Sequence, residues 1–237
     1  TLNSVEDSYS NIQDIKSILD SQVDMGAAAV KVSDNVTKTE VDDLRTDTTG
    51  NITLTSLTED KGDLATINGF NDVILSTANI TVTDNVNKLE ADAIDAYSDT
   101  SGVVTLTSIT DTVENVNSVQ SNANISLATS TITVTDAASL ADATAINGFT
   151  EGLVTLNLVQ DTVSNISSIN LIDSDDVSMA AADITVTDAA SLADATAING
   201  FTQGLVTLNS VEDTYSKIQA VSYTHLRAHE TRHDLVC

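Results

Sequence analysis

Several residue types that usually carry chemistry are missing from most of this chain. The 237 residues include no proline or tryptophan, one cysteine and three histidines, and the cysteine and histidines all lie in residues 222–237. The remainder therefore has no disulfide framework and almost none of the usual nucleophiles and general bases. Carboxylates and hydroxyls are abundant, but they belong to a repeat pattern that a catalytic site would break. We predict no catalytic residues and expect the protein not to be an enzyme.

Basic residues are also scarce. Nine lysines and arginines stand against 35 aspartates and glutamates, which gives a formal net charge of -26 at pH 7. Such a surface repels phosphate backbones and anionic lipid head groups, so we expect neither a nucleic-acid partner nor a membrane-surface partner. Divalent cations are the natural counterparts of this charge. Calcium is the only cofactor for which we find candidate ligands.

Long hydrophobic runs are absent as well. No apolar stretch approaches the roughly 18 residues that a membrane-spanning helix needs, so we expect no membrane insertion. High net charge is typical of disordered chains, but 41% of the residues are hydrophobic and they recur periodically. This periodicity predicts a folded chain with a buried core.

The carboxyl-terminal residues differ from the rest in composition and in period. The stretch SYTHLRAHETRHDLVC, residues 222–237, resembles the translation of a transposase-type sequencing adapter. We therefore expect residues 220–237 to be a non-native, disordered tail, and the native sequence to end near Gln219. This interpretation also removes a metal site. The tail contains His225, His229, His233 and Cys237, spaced four residues apart. On a helix, three imidazoles and a thiol with this spacing would suggest a zinc or copper site.

An internal repeat dominates the rest of the sequence. The nineteen residues ITVTDAASLADATAINGFT at 132–150 recur unchanged at 184–202, which is 52 positions later. Looser copies begin at Ile80 and Val30. A period of this length is the sequence pattern of stacked repeat architectures. We therefore predict that residues 1–219 form a single solenoid array, cut from a longer repeat region.

Each period contains two strand-like segments, one of type I-T-V-T and one of type V-T-L-T/N. Alignment of their central residues predicts that long and short turns alternate around a mean of about 26 residues, with two coils per period. The alignment gives nine rungs, centred on Thr1, Lys31, Thr53, Thr81, Thr105, Thr133, Thr155, Thr185 and Thr207.

A helix is predicted after each strand. Within the identical block we expect Asp136 to be the N-cap of an alanine-rich helix, and Gly148 to end that helix in a left-handed conformation. In the other half of the period, Val163, Ile166 and Ile169 are spaced three apart, which favours a short helix or a 3₁₀ turn. The predicted fold is therefore an α/β, right-handed solenoid of about nine coils, with a parallel sheet on one side and helices on the other. An all-β solenoid is the alternative.

The elements ITVTD, INGF, AIDAY and VTLNSVEDTYS suggest a relationship. They resemble the acidic, Thr/Val/Asp-rich tandem-repeat regions of very large secreted or cell-surface proteins of bacteria, cyanobacteria in particular, and the resemblance covers about residues 1–219. It implies an extracellular or cell-surface location and a role as an acidic spacer or adhesive rod. Its partners would be neighbouring repeats of the same chain. A ligand-binding module for calcium, a glycan or an ice surface is the alternative function.

Two groups of residues are candidates for such ligand binding. Asp173, Asp175 and Asp176 form the densest acidic cluster, and they are calcium candidates that compete with a simple solvated loop. Outward threonines form T-x-T pairs along the strands, which resemble ice-binding surfaces, although threonine is also common on exposed strand faces. The pairs are Thr53/Thr55, Thr81/Thr83, Thr105/Thr107, Thr133/Thr135 and Thr185/Thr187.

The aspartates that follow the I-T-V-T segments also need an interpretation. Equivalent positions would lie two rungs, or roughly 10 Å, apart, whereas calcium holds its oxygens at about 2.3–2.6 Å, so they cannot share an ion. We therefore predict that they are helix caps. The residues are Asp34, Asp84, Asp136 and Asp188.

Overall fold

Each helix of the described part of the chain is followed by one or two strands, in a repeating order. The computed structural model describes residues 2–19, 25–98, 101–214 and 217. The helices among them are α1 (Tyr9–Leu19), α2 (Lys38–Asp47), α3 (Lys61–Asn68), α4 (Lys88–Asp95), α5 (Val113–Gln120), α6 (Leu140–Asn147), α7 (Val163–Asn170) and α8 (Leu192–Asn199). The predicted tail and its histidines and cysteine lie outside these residues, as does Thr1.

Twelve strands are found among the described residues. They are β1 (Ser4–Asp7), β2 (Ala29–Val36), β3 (Ile52–Glu59), β4 (Val73–Ile74), β5 (Asn79–Val86), β6 (Val104–Asp111), β7 (Ile125–Ser126), β8 (Thr131–Ala138), β9 (Val154–Asp161), β10 (Val177–Ser178), β11 (Asp183–Ala190) and β12 (Val206–Val211). We call β2, β5, β8 and β11 the ITVT strands, and β1, β3, β6, β9 and β12 the VTL strands. Every predicted rung residue after Thr1 lies in one of these strands.

The chain divides into two compact units. The first contains Thr1–Thr133 and Gly148–Leu153, and the second contains Val134–Asn147 and Val154–Cys237. In the first unit the strand order is β1-β2-β3-β5-β6, with β4 beside β3 and β7 beside β6. In the second unit the order is β9-β11-β12, with β10 beside β9.

All strand pairings within each unit are parallel. Parallel strands joined by helices are the pattern of an α/β protein, and the helices exclude the all-β alternative. The predicted α/β class with a solenoid-like succession of strand and helix is therefore confirmed.

The core of each coil, which is one strand with its following helix, comes from two sources. Alternate strand residues point inward, so that Ile80 and Val82 in β5 are fully buried. Each short helix adds residues three apart, such as Ile166 and Ile169 in α7, which are also buried. The predicted spacing of three is therefore confirmed, and it belongs to a helix.

The strand register agrees with the predicted rungs at only half of the interfaces. From an ITVT strand to the following VTL strand, Thr81 pairs with Thr105, as predicted. From a VTL strand to the following ITVT strand, however, Thr58 pairs with Thr81. The predicted pairing of Thr53 with Thr81 is therefore wrong by five residues.

The extra strands explain this stagger. The second half of β3 pairs with β5, while the two-residue strand β4 pairs with the first half of β3. The turns predicted to be long contain residues that form a short strand, namely β4 and its equivalents β7 and β10. With the observed register, paired residues are 21 to 25 positions apart along the chain, as in Val36 with Leu57 and Gln160 with Thr185. The alternation of long and short turns therefore largely disappears.

Three of the ITVT strands, β2, β5 and β11, contain a β-bulge where they meet the next VTL strand. Val82 pairs with Leu106 but Asn85 pairs with Ser108, so the ITVT strand has one extra residue at this point. The hydroxyl of Thr107 donates a hydrogen bond of 2.8 Å to the carbonyl oxygen of Val82. The hydroxyl of one threonine thus satisfies a carbonyl that the bulge removes from the regular ladder.

Four glycines lie where consecutive coils approach most closely. A Cβ atom at Gly50 would lie 2.3 Å from the carbonyl oxygen of Ala28, and the other three positions are as tight. The hydroxyl of Thr48 donates to the same oxygen at 2.6 Å and accepts a hydrogen bond from the Gly50 N–H. No side chain fits between the two backbones here. The four residues are Gly50, Gly102, Gly152 and Gly204.

The glycine at the end of the identical block has a different role from the one predicted. Gly26 is the only glycine with positive φ among the described residues. The prediction that Gly148 is left-handed is therefore wrong. Its copy Gly200 has φ -76° and donates to the carbonyl oxygens of Thr196 and Ala197. The helix thus ends in a tightened right-handed turn, which any residue can adopt.

We predict that Gly50→Ala lowers the free energy of unfolding by about 1–3 kcal/mol, because the new methyl group must push two backbones apart. Gly62→Ala is the control. Gly62 lies in the first turn of α3, where a Cβ atom would be no closer than 3.2 Å to the side chain of Asp60. This substitution should be neutral or stabilising. Urea denaturation followed by circular dichroism measures both, and equal stability of the two variants would contradict the close approach.

Candidate functional site

Carboxylates line the edge where strands end and helices begin. In seven coils, a carboxylate from the following coil accepts a hydrogen bond from the N–H of the first helical residue, at distances of 2.5–3.1 Å. We call these seven residues the inter-coil carboxylates. They are Asp34, Glu59, Asp84, Asp111, Asp161, Asp188 and Asp213.

The helix ends explain why carboxylates stand here. The first N–H groups of a helix have no partner within it, and the dipole makes that end positive. In α4, the side chain of Asn87 accepts from the N–H of Glu90, while the Glu90 carboxylate accepts from the N–H of Asn87. This capping box leaves the N–H of Lys88 to be satisfied. Asp111 in the next coil accepts it at 2.8 Å.

The ITVT strands supply their carboxylates from the β-bulge. Asp84 lies between the residues where the register shifts, and it accepts from the N–H of Lys61 at 2.9 Å. Asp188 likewise accepts from the N–H of Val163 at 2.8 Å. The extra residue of the bulge turns the aspartate side chain toward the helix of the preceding coil.

The VTL strands supply theirs at or just beyond the end of the strand. Asp161 accepts from the N–H of Leu140 at 2.9 Å, and its other oxygen accepts from the N–H of Thr162 and the side-chain amide of Asn165, each at 2.8 Å. One carboxylate therefore holds three donors from two coils. The sequence contains a sign of this role, because an acidic residue recurs at this position in every period, but a pattern along one chain does not reveal a bond between coils.

The prediction that the ITVT aspartates cap their own helices is wrong. Asp136 lies within β8, and the strand continues past it to Ala138 before α6 begins at Leu140. The hydroxyl of Ser139 is the N-cap instead, since it accepts from the N–H of Asp142. The prediction of helix capping is confirmed for Asp34, Asp84 and Asp188, each of which accepts from the N–H of the first residue of a helix. Asp84 and Asp188, however, cap the helix of the preceding coil.

Hydrogen bonding keeps two of the inter-coil carboxylates ionised. Burial raises the pKa of Asp111, but the hydrogen bonds from Lys88, Asn115 and Thr112 outweigh it and leave the pKa below its ordinary value. The pKa of Asp161 is lowered in the same way, with burial again opposing the bonds from its donors. Both carboxylates are therefore charged when the protein is folded at neutral pH.

The basic side chains in the described part of the chain all have acidic partners. Every lysine and arginine among the described residues forms an ion pair with a carboxylate. Arg45, for example, contacts Asp72 at 2.9 Å and lies over the ring of Phe70 at 3.7 Å. No lysine or arginine occurs between Lys88 and Lys217. The excess of negative charge is therefore greatest in that stretch.

The calcium candidates lie in an exposed turn between α7 and β10. The carbonyl oxygen of Asp173 accepts from the N–H groups of Asp176 and Val177, and the N–H of Asp175 donates to the Asp173 carboxylate at 3.1 Å. Across the described ranges, no group of three or more His, Cys, Asp or Glu side chains is arranged to hold a metal ion. Calcium binding by this turn stays a prediction.

The threonine pairs of neighbouring strands are not aligned in continuous rows across the sheet. The neighbour of Thr53 on the far side is Ile74 in β4, and the neighbour of Thr81 is Thr58. Thr55 and Thr107 also donate their hydroxyls to strand carbonyls at the bulges. Much of this threonine content is therefore explained by contacts within the sheet.

Comparisons with protein-family models, curated proteins and solved structures find no match to this chain. Among the residues that the structure describes, no helix is both long enough and apolar enough to span a membrane. The residues and their contacts are therefore the basis for any statement about function.

Replacement of one inter-coil carboxylate should destabilise the fold. Asp161→Asn keeps one acceptor oxygen but turns the other into a donor that faces an N–H, so we expect a loss of about 1–3 kcal/mol in the free energy of unfolding. The matched control is Asp175→Asn, which removes the same charge from an exposed turn. Chemical denaturation measures both variants. A loss as large for Asp175→Asn as for Asp161→Asn would contradict the assigned role.

Acid should weaken the same contacts. The pKa values of Asp111 and Asp161 are lower in the folded protein than the unfolded value of about 4. The ionised forms therefore stabilise the fold above about pH 4, and this stabilisation is lost as the pH falls through the lower, folded-state values. We expect the melting temperature to drop below about pH 4, and to drop less in the Asp161→Asn variant. If the melting temperatures of the two proteins fell equally as the pH was lowered, Asp161 would not be a source of the acid sensitivity.

Proposed function

We propose that this chain is a structural repeat segment of a large extracellular or cell-surface protein, in which it serves as an acidic spacer. One observation carries the proposal. In seven coils, the helix start is held by a carboxylate of the following coil. The most regular polar chemistry in the described residues is therefore directed toward neighbouring coils.

Other recurrent residues support the same role. The glycines at the close approaches, the threonines beside them and the threonines at the bulges all contact the preceding coil. In repeat proteins, stability is approximately a sum of such nearest-neighbour terms, so the number of coils can change without a change in the contacts of each coil. This interchangeability is what a spacer requires.

The charge suits an extended surface segment. The inter-coil carboxylates accept hydrogen bonds between coils, and together with the other acidic residues they give the chain a net charge of -26. Mutual repulsion discourages lateral association of such segments, and salt or divalent cations reduce it. The resemblance to bacterial surface repeat regions supports the proposed location.

Deletion of a whole period tests the spacer role. Removal of residues 132–183 joins Thr131 to Ile184 and keeps the alternation of ITVT and VTL strands. We expect this variant to fold with an unchanged circular dichroism spectrum per residue. In single-molecule stretching it should release about 180 Å less contour length, at about 3.5 Å for each of the 52 missing residues, with unchanged rupture forces.

The matched control removes one coil instead of two. Deletion of residues 132–153 places two VTL strands in succession. The ITVT strand that should lie between them is then missing, so we expect a clear drop in stability. If both deletions were equally harmful, the two-coil unit would not be interchangeable and the spacer role would fail.

The location is tested by antibody labelling of intact cells that produce the parent protein. Labelling only after permeabilisation would refute a surface role.

A further inference from the structure

An Asn-Gly pair recurs at the ends of three helices, within the motif INGF. Asn68, Asn147 and Asn199 are the last residues of α3, α6 and α8, and each is followed by glycine. No other asparagine in the sequence precedes glycine. The three pairs therefore occupy one and the same position of the coil.

The backbone does not require glycine at these helix ends. Gly69 and Gly200 both have φ -76°, which is in the right-handed region. A Cβ atom at Gly69 would lie 3.2 Å from the carbonyl oxygen of Thr66, whereas at Gly50 it would lie 2.3 Å from its nearest atom. In other coils, residues with side chains take this conformation at the same position. They are Ala96, Ser121 and Leu171, with φ -64°, -75° and -86°.

Glycine does change the chemistry of the asparagine before it. The backbone nitrogen that follows an asparagine can attack the Cγ atom of the asparagine side chain. The new N–Cγ bond closes a five-membered succinimide ring, and the side-chain nitrogen leaves as ammonia. Water then adds to one of the two ring carbonyls and opens the ring to aspartate or isoaspartate. A side chain on the second residue hinders the attack, and glycine has none.

The local structure leaves the reacting groups accessible. Asn68 and Asn199 are exposed, and neither side-chain amide forms a hydrogen bond within the described part of the chain. The N–H of Gly69 is shared between the carbonyl oxygens of Ala65 and Thr66, at 3.2 and 3.1 Å. These are the last hydrogen bonds of the helix. Because helix ends fray, a local opening of one turn is enough to release the attacking nitrogen.

We propose that Asn68, Asn147 and Asn199 are sites of spontaneous deamidation in the folded protein, which react when the last turn of their helix opens. Water is the only co-reactant. Each conversion adds one negative charge to a chain whose net charge is -26. The added charge lies at the carboxyl-terminal end of a helix, where the helix dipole opposes it. The inference goes beyond the spacer role, because it concerns a covalent change of the chain whatever its location.

The modified residue lies close to a contact between coils. Three residues after Asn199, the hydroxyl of Thr202 donates to the carbonyl oxygen of Ala182 at 2.6 Å. The same hydroxyl accepts from the N–H of Gly204 at 2.9 Å. Isoaspartate lengthens the backbone by one atom, and this change shifts the segment that carries Thr202. Deamidation therefore weakens the contact of this coil with the preceding one.

Peptide mapping of the folded chain tests the proposal. After prolonged incubation at mildly alkaline pH, a brief chymotryptic digestion cuts after the phenylalanine of each INGF motif. Mass spectrometry should find aspartate and isoaspartate at the three sites, in amounts above those of chain digested before incubation. Conversion should be faster in urea, since no helix then has to open. A folded chain that stays unconverted while the chain in urea converts would overturn the proposal.

Asn170 is an internal control. It is exposed and ends α7, but Leu171 follows it. The helix end is therefore similar, while a side chain hinders the attacking nitrogen. We expect Asn170 to stay unconverted during the same incubation. Conversion of Asn170 as fast as that of Asn199 would show that glycine does not determine the site, and would also overturn the proposal.

Two substitutions should move the reaction from one helix end to another. Gly200→Ala should stop conversion at Asn199 alone, and Leu171→Gly should make Asn170 a fourth site. Both positions have right-handed backbone angles, so circular dichroism and the melting temperature should change little. If Leu171→Gly does not fold, Gly69→Ala replaces it and should stop conversion at Asn68. Conversion that continues at the parent rate beside a new alanine, or an unconverted Asn170 in folded Leu171→Gly, would refute the proposal.

Discussion

The hydrogen bond from a helix start to a carboxylate of the next coil is the interaction on which the rest of this fold depends. Most of the helices have only eight residues, and isolated helices of that length are not stable in water. Each needs packing on its strand and partners for its first N–H groups. The following coil supplies one such partner for seven helices, as Asp161 does for Leu140, so these helices are not complete until the next strand is in place. Folding of one coil is thereby coupled to folding of the next.

This dependence also explains part of the composition. A carboxylate is the strongest acceptor for the positive end of a helix, and it must stay ionised to act there. The bonds to Asp111 and Asp161 achieve this by lowering the pKa. An array of such coils accumulates negative charge with every coil that it adds. The acidity of the chain is therefore partly a consequence of the helix-capping bonds between its coils. The carboxylates that do not form these bonds contribute the rest of the surface charge.

The sequence predicts the local structure well and the contacts between coils less well. Alternation in the strands and the spacing of Ile166 and Ile169 give the α/β class, because these patterns report on burial along one segment. The register is ambiguous, since Thr53, Thr55 and Thr58 can each be aligned with Thr81 on composition alone. What decides it is the short strand β4, which pairs with the first half of β3 and leaves only the second half to β5. The prediction that Asp136 is an N-cap is wrong for the same reason. An aspartate before a helix suggests a cap, and only the structure shows that the strand continues past Asp136 to Ala138.

Differences between the periods show which contacts the array can do without. In β5, the side-chain oxygen of Asn85 accepts from Ser108 and Thr110 of the next strand, at 2.9 and 3.1 Å. In β11, Ala189 stands at that position opposite Ser210 and has no side-chain acceptor to offer. The bulge and the carboxylate of Asp188 are nevertheless unchanged. The side-chain bonds of Asn85 therefore add to an interface that the bulge and its carboxylate already define. It follows that the loss of an inter-coil carboxylate acts first on the helix of the preceding coil.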